Sequence, residues 1–190
     1  MFKKLSFKIT NMLVSNDIID NNDFEIYRYG FETLIYFIVN ISVVLFIGII
    51  FNRFIQTIVF LSCYCTLRQF TGGYHAKNYT ECTLTFAIIY LITILISNTI
   101  GLYKSKYLIM LFLILSTIII YKFAPLDHRN KPLSEKEKKH YKNISIKILT
   151  FINFLLILSV VFDIFIEYVI YLLFAVIWIC ILLIIGFYKK

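Results

Sequence analysis

The chain has 190 residues and a net charge of +8, yet only 16% of its residues are charged and 60% are hydrophobic. Apolar residues in runs this long exclude an ordinary soluble domain of this length. The aromatic share of 18% is typical of side chains at lipid and headgroup depth. We therefore expect one integral membrane domain over residues 1–190.

The N-terminal residues predict an amphipathic helix over residues 1–15, lying in the membrane interface. On one helical face stand Phe2, Leu5, Ile9, Met12 and Leu13. The three lysines of this stretch point away from that face, as in helices that rest on anionic lipid.

Six apolar segments follow, so the predicted fold is all-α, with about six transmembrane or re-entrant helices. The segments cover residues 33–51, 54–67, 84–102, 107–124, 145–163 and 166–187. Five of them approach the roughly 20 residues that a helix needs to cross the hydrocarbon core. The segment 54–67 is shorter, and both a span and a re-entrant helix stay open for it. Isolated polar residues inside the spans are expected to join helices, and these are Asn40, Gln56, Asn98 and Asn153.

The basic residues predict the orientation of the chain. If six segments span and the N-terminus is cytoplasmic, every Lys and Arg lies inside except Arg53, Lys104 and Lys106. This positive-inside bias predicts a multi-pass protein with residues 68–82 on the cytoplasmic side. Cysteines on that side stay reduced.

The stretch RQFTGGYHAKNYTEC, residues 68–82, gathers polar and reactive side chains between two apolar segments. Asn78 and Glu81 form a capping-box-like helix start, which places Cys82 in the first turn, where the helix dipole favours a thiolate. His75 lies seven residues earlier. A bent chain between them would let His75 act as general base for a Cys82 nucleophile.

Other interpretations of these residues stay open. A lone cysteine is often an inert apolar residue, and a lone histidine is often only hydrogen-bonded. A metal site is disfavoured because a Cys-x-Cys pair on one helix points its thiols apart; its ligands would be Cys63, Cys65, His75 and Cys82. The backbone of Gly72 and Gly73 suits either an oxyanion or a plain turn. Arg68 suits a substrate carboxylate or the lipid headgroups.

The pattern Arg-x-x-x-Gly-Gly-x-His, with a cysteine seven residues after the histidine, resembles the accessory gene regulator B family of membrane peptidases. The chain length, the amphipathic N-terminus, the six segments and the loop APLDHRNKPL at residues 124–133 are similar too. The resemblance implies that His75 and Cys82 are the catalytic pair. Arg68, Gly72 and Gly73 match further positions of the motif.

The resemblance also implies the reaction. Family members cleave the C-terminal tail from an autoinducing-peptide precursor through a cysteine thioester and promote closure of a thiolactone or lactone ring for quorum sensing. The implied enzyme is a cysteine endopeptidase without cofactor or metal. It would act in a bacterial cell membrane as a homodimer, with catalytic residues on the cytoplasmic side. Its partners would be lipid and a precursor that carries an amphipathic helix and an acidic tail, with no nucleic acid.

The loop between the fourth and fifth segments is strongly basic. Arg129, Lys131, Lys138 and Lys139 either anchor the loop on the inner side of the membrane or bind the acidic tail of the substrate. His128 and His140 are expected to be solvated, and Asp127 and Glu81 are candidates for orienting His75.

Two non-enzymatic functions compete with the peptidase: a peptide transporter or export helper, and a membrane scaffold. A transporter requires ionisable residues well inside several spans. Here the charged residues cluster at the segment ends, which favours chemistry at the membrane surface.

Overall fold

The computed structural model describes residues 2–74, 78–99, 106–127 and 133–189, with the backbone alone for 98 and 99. These residues form α1 (Phe2–Ser15), α2 (Phe24–Ile50), α3 (Phe54–Thr71), α4 (Tyr79–Thr99), α5 (Lys106–Phe123), α6 (Glu135–Phe162) and α7 (Ile166–Tyr188). A single 3-10 turn, Asn21–Asp23, precedes α2. Within the described ranges there is no β-strand, and the predicted all-α fold is confirmed.

The protein is a multi-pass membrane protein. Among the described helices, α2, α4, α5, α6 and α7 are long and apolar enough to cross a membrane. Large apolar side chains on their outer faces are exposed, among them Phe37, Phe46, Ile114 and Phe154. An apolar surface of this extent would be unfavourable in water, whereas in a bilayer it contacts lipid.

Several helices are longer than the apolar segments in the sequence. α2 begins at Phe24 instead of residue 33, and α6 begins at Glu135 instead of residue 145. The apolar segments mark only the lipid-embedded part, while the helices continue into polar turns outside it. At the start of α6, the Ser134 hydroxyl accepts a hydrogen bond from the Glu137 N–H (3.3 Å), and the Glu137 carboxylate accepts one from the Ser134 N–H (2.8 Å). This capping box satisfies two backbone donors of the charged first turn.

The helix α3 runs from one end of the bundle to the other. Just before it, Arg53 forms an ion pair with Glu167 at the start of α7. At its other end, the Thr71 carbonyl accepts a hydrogen bond from the N–H of Leu126, just beyond α5 (2.9 Å). Eighteen residues give α3 a length of about 27 Å. Of the two arrangements left open for segment 54–67, this end-to-end path favours the span; α3 is not among the helices that are apolar enough by composition, and its crossing stays a prediction.

The helices α2 to α7 therefore alternate in direction and define two ends of the bundle. At the Cys82 end, α3, α5 and α7 finish and α4 and α6 begin; the other end is called the Arg53 end. The cations described at the Arg53 end are both paired, Arg53 with Glu167 and Lys106 with Asp163 (2.8 Å). All other described Lys and Arg residues lie towards the Cys82 end. This is the asymmetry that the sequence predicts.

The helix α1 packs against the first half of α2 through small polar residues. Ser6 and Thr10 are fully buried in this contact, and the Phe2 ring lies 5.2 Å from the ring of Tyr36. Small side chains let two helices approach closely. Leu5, from the predicted apolar face, stays exposed. The helix is confirmed, and its position in the membrane interface stays a prediction.

The helices α3 and α7 hold α4 in place. α7 is the most buried helix, which explains why its sequence is apolar on all sides. Among the described residues, three side-chain hydrogen bonds join α4 to these two helices: Tyr90 with Thr57 (2.5 Å), Thr93 with Trp178 (2.9 Å) and Ser97 with Tyr171 (3.0 Å). In a membrane, each such bond contributes on the order of 1 kcal/mol to helix association. The helix that carries Cys82 is thus fixed over most of its length.

Residues 72–74, here called the glycine turn, are wedged between α7 and the start of the basic loop. Gly72 has φ +68° and Gly73 has φ +126°, a backbone that residues with a Cβ rarely adopt. Gly72 forms an isolated parallel bridge with Leu126, and the Tyr74 N–H donates to the Leu182 carbonyl of α7 (2.8 Å). A Cβ on Gly186 would lie 2.6 Å from the Tyr74 nitrogen. The close contact between the backbone of α7 and the backbone of the glycine turn therefore requires glycine both at position 186 and in the turn.

The first prediction concerns the crossing of α3. In a variant without the four natural cysteines, single cysteines at Asn52 and Asn78 would stand near opposite ends of α3 and should lie on opposite sides of the membrane. We expect Asn52→Cys to react with an impermeant maleimide in intact cells, and Asn78→Cys to react only after permeabilisation. Equal labelling of both positions in intact cells would mean that the segment is re-entrant.

The second prediction concerns the contact of α7 with the glycine turn. Gly186→Ala forces backbone atoms of the turn apart, and overpacking of this kind costs about 1–3 kcal/mol. Gly30→Ala is the matched control, because a Cβ at this helical glycine has no atom within 4 Å. In detergent, thermal unfolding should occur at a lower temperature for Gly186→Ala and at no lower temperature for Gly30→Ala. Equal midpoints for the two variants would show that the contact is loose.

Candidate functional site

Cys82 lies in the first turn of α4, as the sequence predicts. Its N–H donates to the Asn78 carbonyl (3.1 Å), which is the first hydrogen bond of this helix. The Asn78 amide also contacts the Glu81 carboxylate (3.4 Å), so these two residues meet through their side chains. The Cys82 side chain is exposed at the Cys82 end of the bundle. A thiol in this position can reach a substrate at the membrane surface.

Arg68 binds the backbone of the glycine turn. Its guanidinium donates to the carbonyl of Gly72 (2.5 Å) and to the carbonyl of Tyr74. The same guanidinium interacts electrostatically with the side chains of Cys82 and Tyr64. Arg68 therefore joins the end of α3, the turn that leads into His75, and the start of α4. Its predicted contact with a substrate carboxylate stays a prediction.

The glycine turn uses part of its backbone within the protein. The Gly72 N–H donates to the Arg68 carbonyl (3.1 Å), and the Tyr74 N–H donates to α7. An added Cβ on Gly73 would lie 1.9 Å from the Arg68 guanidinium. The absence of side chains thus makes room for the arginine. An oxyanion contact from the Gly72 N–H would require this turn to rearrange.

His75 lies outside the described residues, as do Ala76 and Lys77. The residues on both sides are described: Tyr74 is held by α7 and by Arg68, and Asn78 begins the first turn of α4. The proposed pairing of His75 with Cys82 therefore stays a prediction from the sequence.

Two residues of the site were not among the sequence candidates. Asn40, on α2, accepts a hydrogen bond from the Thr83 hydroxyl through its Oδ1 (2.5 Å), which holds its carboxamide against the residue that follows Cys82. Tyr64 lies one turn before Arg68 on α3, packs on Phe86 with ring centroids 4.8 Å apart, and interacts with Cys82. An asparagine in an apolar span indicates a contact between helices, but the sequence could not show which helix Asn40 contacts.

The described start of the basic loop, up to Asp127, lies beside the glycine turn, because Leu126 bonds to the end of α3. Lys138 forms ion pairs with Asp127 (3.6 Å) and Glu135 (3.1 Å). Lys139 is exposed to solvent. Arg129, Lys131 and His128 fall outside the described residues. Lys189, at the end of α7, places its ammonium group 4.6 Å from the ring centroid of Tyr74.

The cysteines other than Cys82 have different surroundings. Cys63 is buried and donates to the Leu172 carbonyl on α7 (3.8 Å), and Cys180 is buried against the Ser116 carbonyl (3.7 Å). Cys65 is partly buried. Among the described residues, no group of three or more His, Cys, Asp or Glu is arranged to hold a metal ion.

Comparison with known proteins identifies relatives that match most of the chain. An AgrB-like protein of Clostridium perfringens SM101 is 34% identical over 167 residues, which cover 85% of this chain and 78% of the relative. AgrB-like protein 2 of Clostridium perfringens strain 13 is 32% identical over the same shares of both chains. No solved structure shows significant similarity to the chain.

The family comparison agrees with the motif at residues 68–82 and with the membrane fold. A family model described as accessory gene regulator B matches residues 6–187. It includes the glycine turn, the start of α4 and the basic loop. The chain therefore belongs to the accessory gene regulator B family, whose general role is the processing of quorum-sensing peptides.

Proposed function

We propose that this protein is a membrane cysteine endopeptidase that removes the C-terminal tail from an autoinducing-peptide precursor. The observation that carries the proposal is the position of Cys82, an exposed thiol in the first turn of α4, at the end of the bundle where Arg68 binds the glycine turn. Arg68 also binds the turn that leads directly into His75. A nucleophile, a nearby cation and a base close in sequence are the groups that acyl transfer requires.

In the first step, the Cys82 sulfur attacks the carbonyl carbon at the cleavage site, and His75 accepts the thiol proton. The peptide C–N bond then breaks, and His75 returns that proton to the leaving amine. The tail departs with a free amino group, and the rest of the precursor stays on Cys82 as a thioester. The Arg68 charge stabilises the negative charge that develops in the tetrahedral intermediate.

In the second step, a cysteine or serine side chain of the bound peptide attacks the thioester carbonyl. The bond to Cys82 breaks, Cys82 recovers a proton, and the peptide leaves as a thiolactone or lactone. Exchange of one thioester for another is nearly neutral in free energy, whereas forming a thioester from an amide is uphill. Loss of the tail must therefore pull the reaction forward, and water must be kept from the thioester.

The basic loop is proposed to bind the acidic tail of the substrate. Its start packs on the glycine turn through Leu126, which brings the first turns of α6 to the same end of the bundle as Cys82. Lys138 already holds two carboxylates there, those of Asp127 and Glu135. Carboxylates of the tail would replace or join them. The other residues proposed to bind the acidic tail are Arg129, Lys131 and Lys139.

The assembly and orientation belong to the same proposal. We place the N-terminus and Cys82 on the cytoplasmic side of a bacterial cell membrane, which the excess of cations at the Cys82 end supports. A homodimer, lipid and the precursor peptide are the proposed partners. The competing function, a transporter or export helper, makes no use of the Cys82 thiol.

The third prediction tests the nucleophile. Purified protein in liposomes is mixed with a synthetic precursor that has an internal cysteine and an acidic C-terminal tail. Mass spectrometry without reductant should find the released tail and a peptide adduct on Cys82. Both should be lost in Cys82→Ser and in His75→Ala. Cys65→Ser is the matched control and should retain both, because Cys65 is a partly buried thiol on α3.

Two outcomes would contradict the proposal. Tail release that persists in Cys82→Ser would exclude a thioester on this residue. If no tail is released by the wild type and the precursor binds equally to all variants, the enzyme is excluded and transport becomes the leading function.

The fourth prediction tests the acidic-tail site. Lys139→Glu should raise KM about fivefold with little change in kcat, since one exposed ion pair contributes up to about 1 kcal/mol. Lys147→Glu makes the same charge change two turns further along α6 and serves as the control. The difference between the variants should shrink at high salt, where exposed charges are screened. Equal KM values for both variants would exclude binding of the acidic tail by Lys139 and leave membrane anchoring as the role of the loop.

A further inference from the structure

The side chain of Asn40 reaches the start of α4, at the residue that follows Cys82. Asn40 lies within the apolar part of α2, and its Oδ1 is bound to the hydroxyl of Thr83, the residue after Cys82 (2.5 Å). Because Oδ1 is bound to Thr83, the Nδ2 group is the part of the carboxamide that remains to donate a hydrogen bond at the start of α4. A neutral donor on α2 and the Arg68 cation on α3 therefore lie at the same end of the bundle as the thiol.

The relative position of α2 and α4 is fixed one turn away from this contact. The Tyr36 ring stacks on the ring of Tyr79, with centroids 3.9 Å apart and planes inclined by 6°. Both contacts, Tyr36 with Tyr79 and Asn40 with Thr83, advance by four residues on each helix, so the helices run side by side in the same direction. The Asn40 carboxamide is therefore held in place by its own bond and by the register of its helix.

We propose that Asn40 is a catalytic residue whose Nδ2 group donates to the Cys82 sulfur and then to the oxyanion of the tetrahedral intermediate. The carboxamide carries two N–H bonds, so one can hold the sulfur while the other meets the carbonyl oxygen. No bond is made or broken at Asn40. The inference rests on the proposed function, since it assigns a role in the same acyl transfer.

This role differs from that of an asparagine that only joins two helices. The protein offers a direct comparison, because Asn153 on α6 donates to the Thr117 hydroxyl on α5 (2.9 Å). That pair resembles Asn40 with Thr83 in chemistry, and it joins α5 to α6, neither of which carries Cys82. If Asn40 only joined helices, both asparagines would have similar effects on activity when they are replaced.

The experiment compares Asn40→Ala, Asn153→Ala and the wild type in liposomes, with the same synthetic precursor. Removing one oxyanion donor typically lowers kcat by about 100- to 1,000-fold. We expect a loss of this size in Asn40→Ala with KM nearly unchanged, and no loss in Asn153→Ala. Thr83→Ser keeps the hydroxyl that holds the carboxamide and should retain activity, whereas Thr83→Val should lower kcat.

A second measurement needs no substrate. Alkylation of Cys82 by iodoacetamide, followed by mass spectrometry at a fixed pH, should be slower in Asn40→Ala than in the wild type and unchanged in Asn153→Ala. Thermal unfolding in detergent reports whether each variant is folded.

The outcomes separate the two proposals. If the wild type releases the tail and Asn40→Ala does so with an unchanged kcat, the role of Asn40 is excluded and the peptidase stands. If the wild type releases no tail, the peptidase is excluded, and the alkylation rates alone decide whether Asn40 acts on the thiol. Equal alkylation of the wild type and Asn40→Ala would show that it does not.

Discussion

The Cys82 end of the protein depends on one constraint: the Arg68 guanidinium must satisfy its N–H groups at the edge of an apolar bundle. It does so by donating to the carbonyls of Gly72 and Tyr74. A cation with unpaired donors would be very costly at this depth. The arginine therefore fixes the turn before His75, and the same charge lies at the end of the bundle that carries Cys82, with which it interacts electrostatically. The Arg68 side chain thus both fixes the backbone of the turn and supplies a positive charge at this end of the bundle.

The glycine turn extends this constraint to the rest of the bundle. Its backbone touches α7 and the residue Leu126, so the segment that carries His75 starts from a surface formed by distant parts of the chain. Small residues make this approach feasible in a membrane, where packing and hydrogen bonds, instead of water exclusion, hold helices together. The basic loop is brought to the site by the same contact.

The arrangement gives α4 a rigid base and an accessible first turn. Hydrogen bonds to α3 and α7 fix the buried length of this helix, and the contacts of Tyr79 and Thr83 with α2 fix its beginning. A nucleophile on a rigid helix keeps its geometry when a flexible peptide binds. The stacked pair Tyr36 and Tyr79 also connects α1 to the site, because Phe2 packs on Tyr36.

The sequence by itself determined the membrane fold, the number of apolar segments, the charge asymmetry and the motif with Cys82, because these follow from local composition and spacing. It left the path of α3 open, since a short segment between two arginines fits both a span and a re-entrant helix. Only the tertiary structure showed that Arg53 and Thr71 lie at opposite ends of the bundle. Only it brought Asn40 and Tyr64 against the first turns of α4, because contacts between helices depend on rotation and register, which hydrophobic periodicity does not specify.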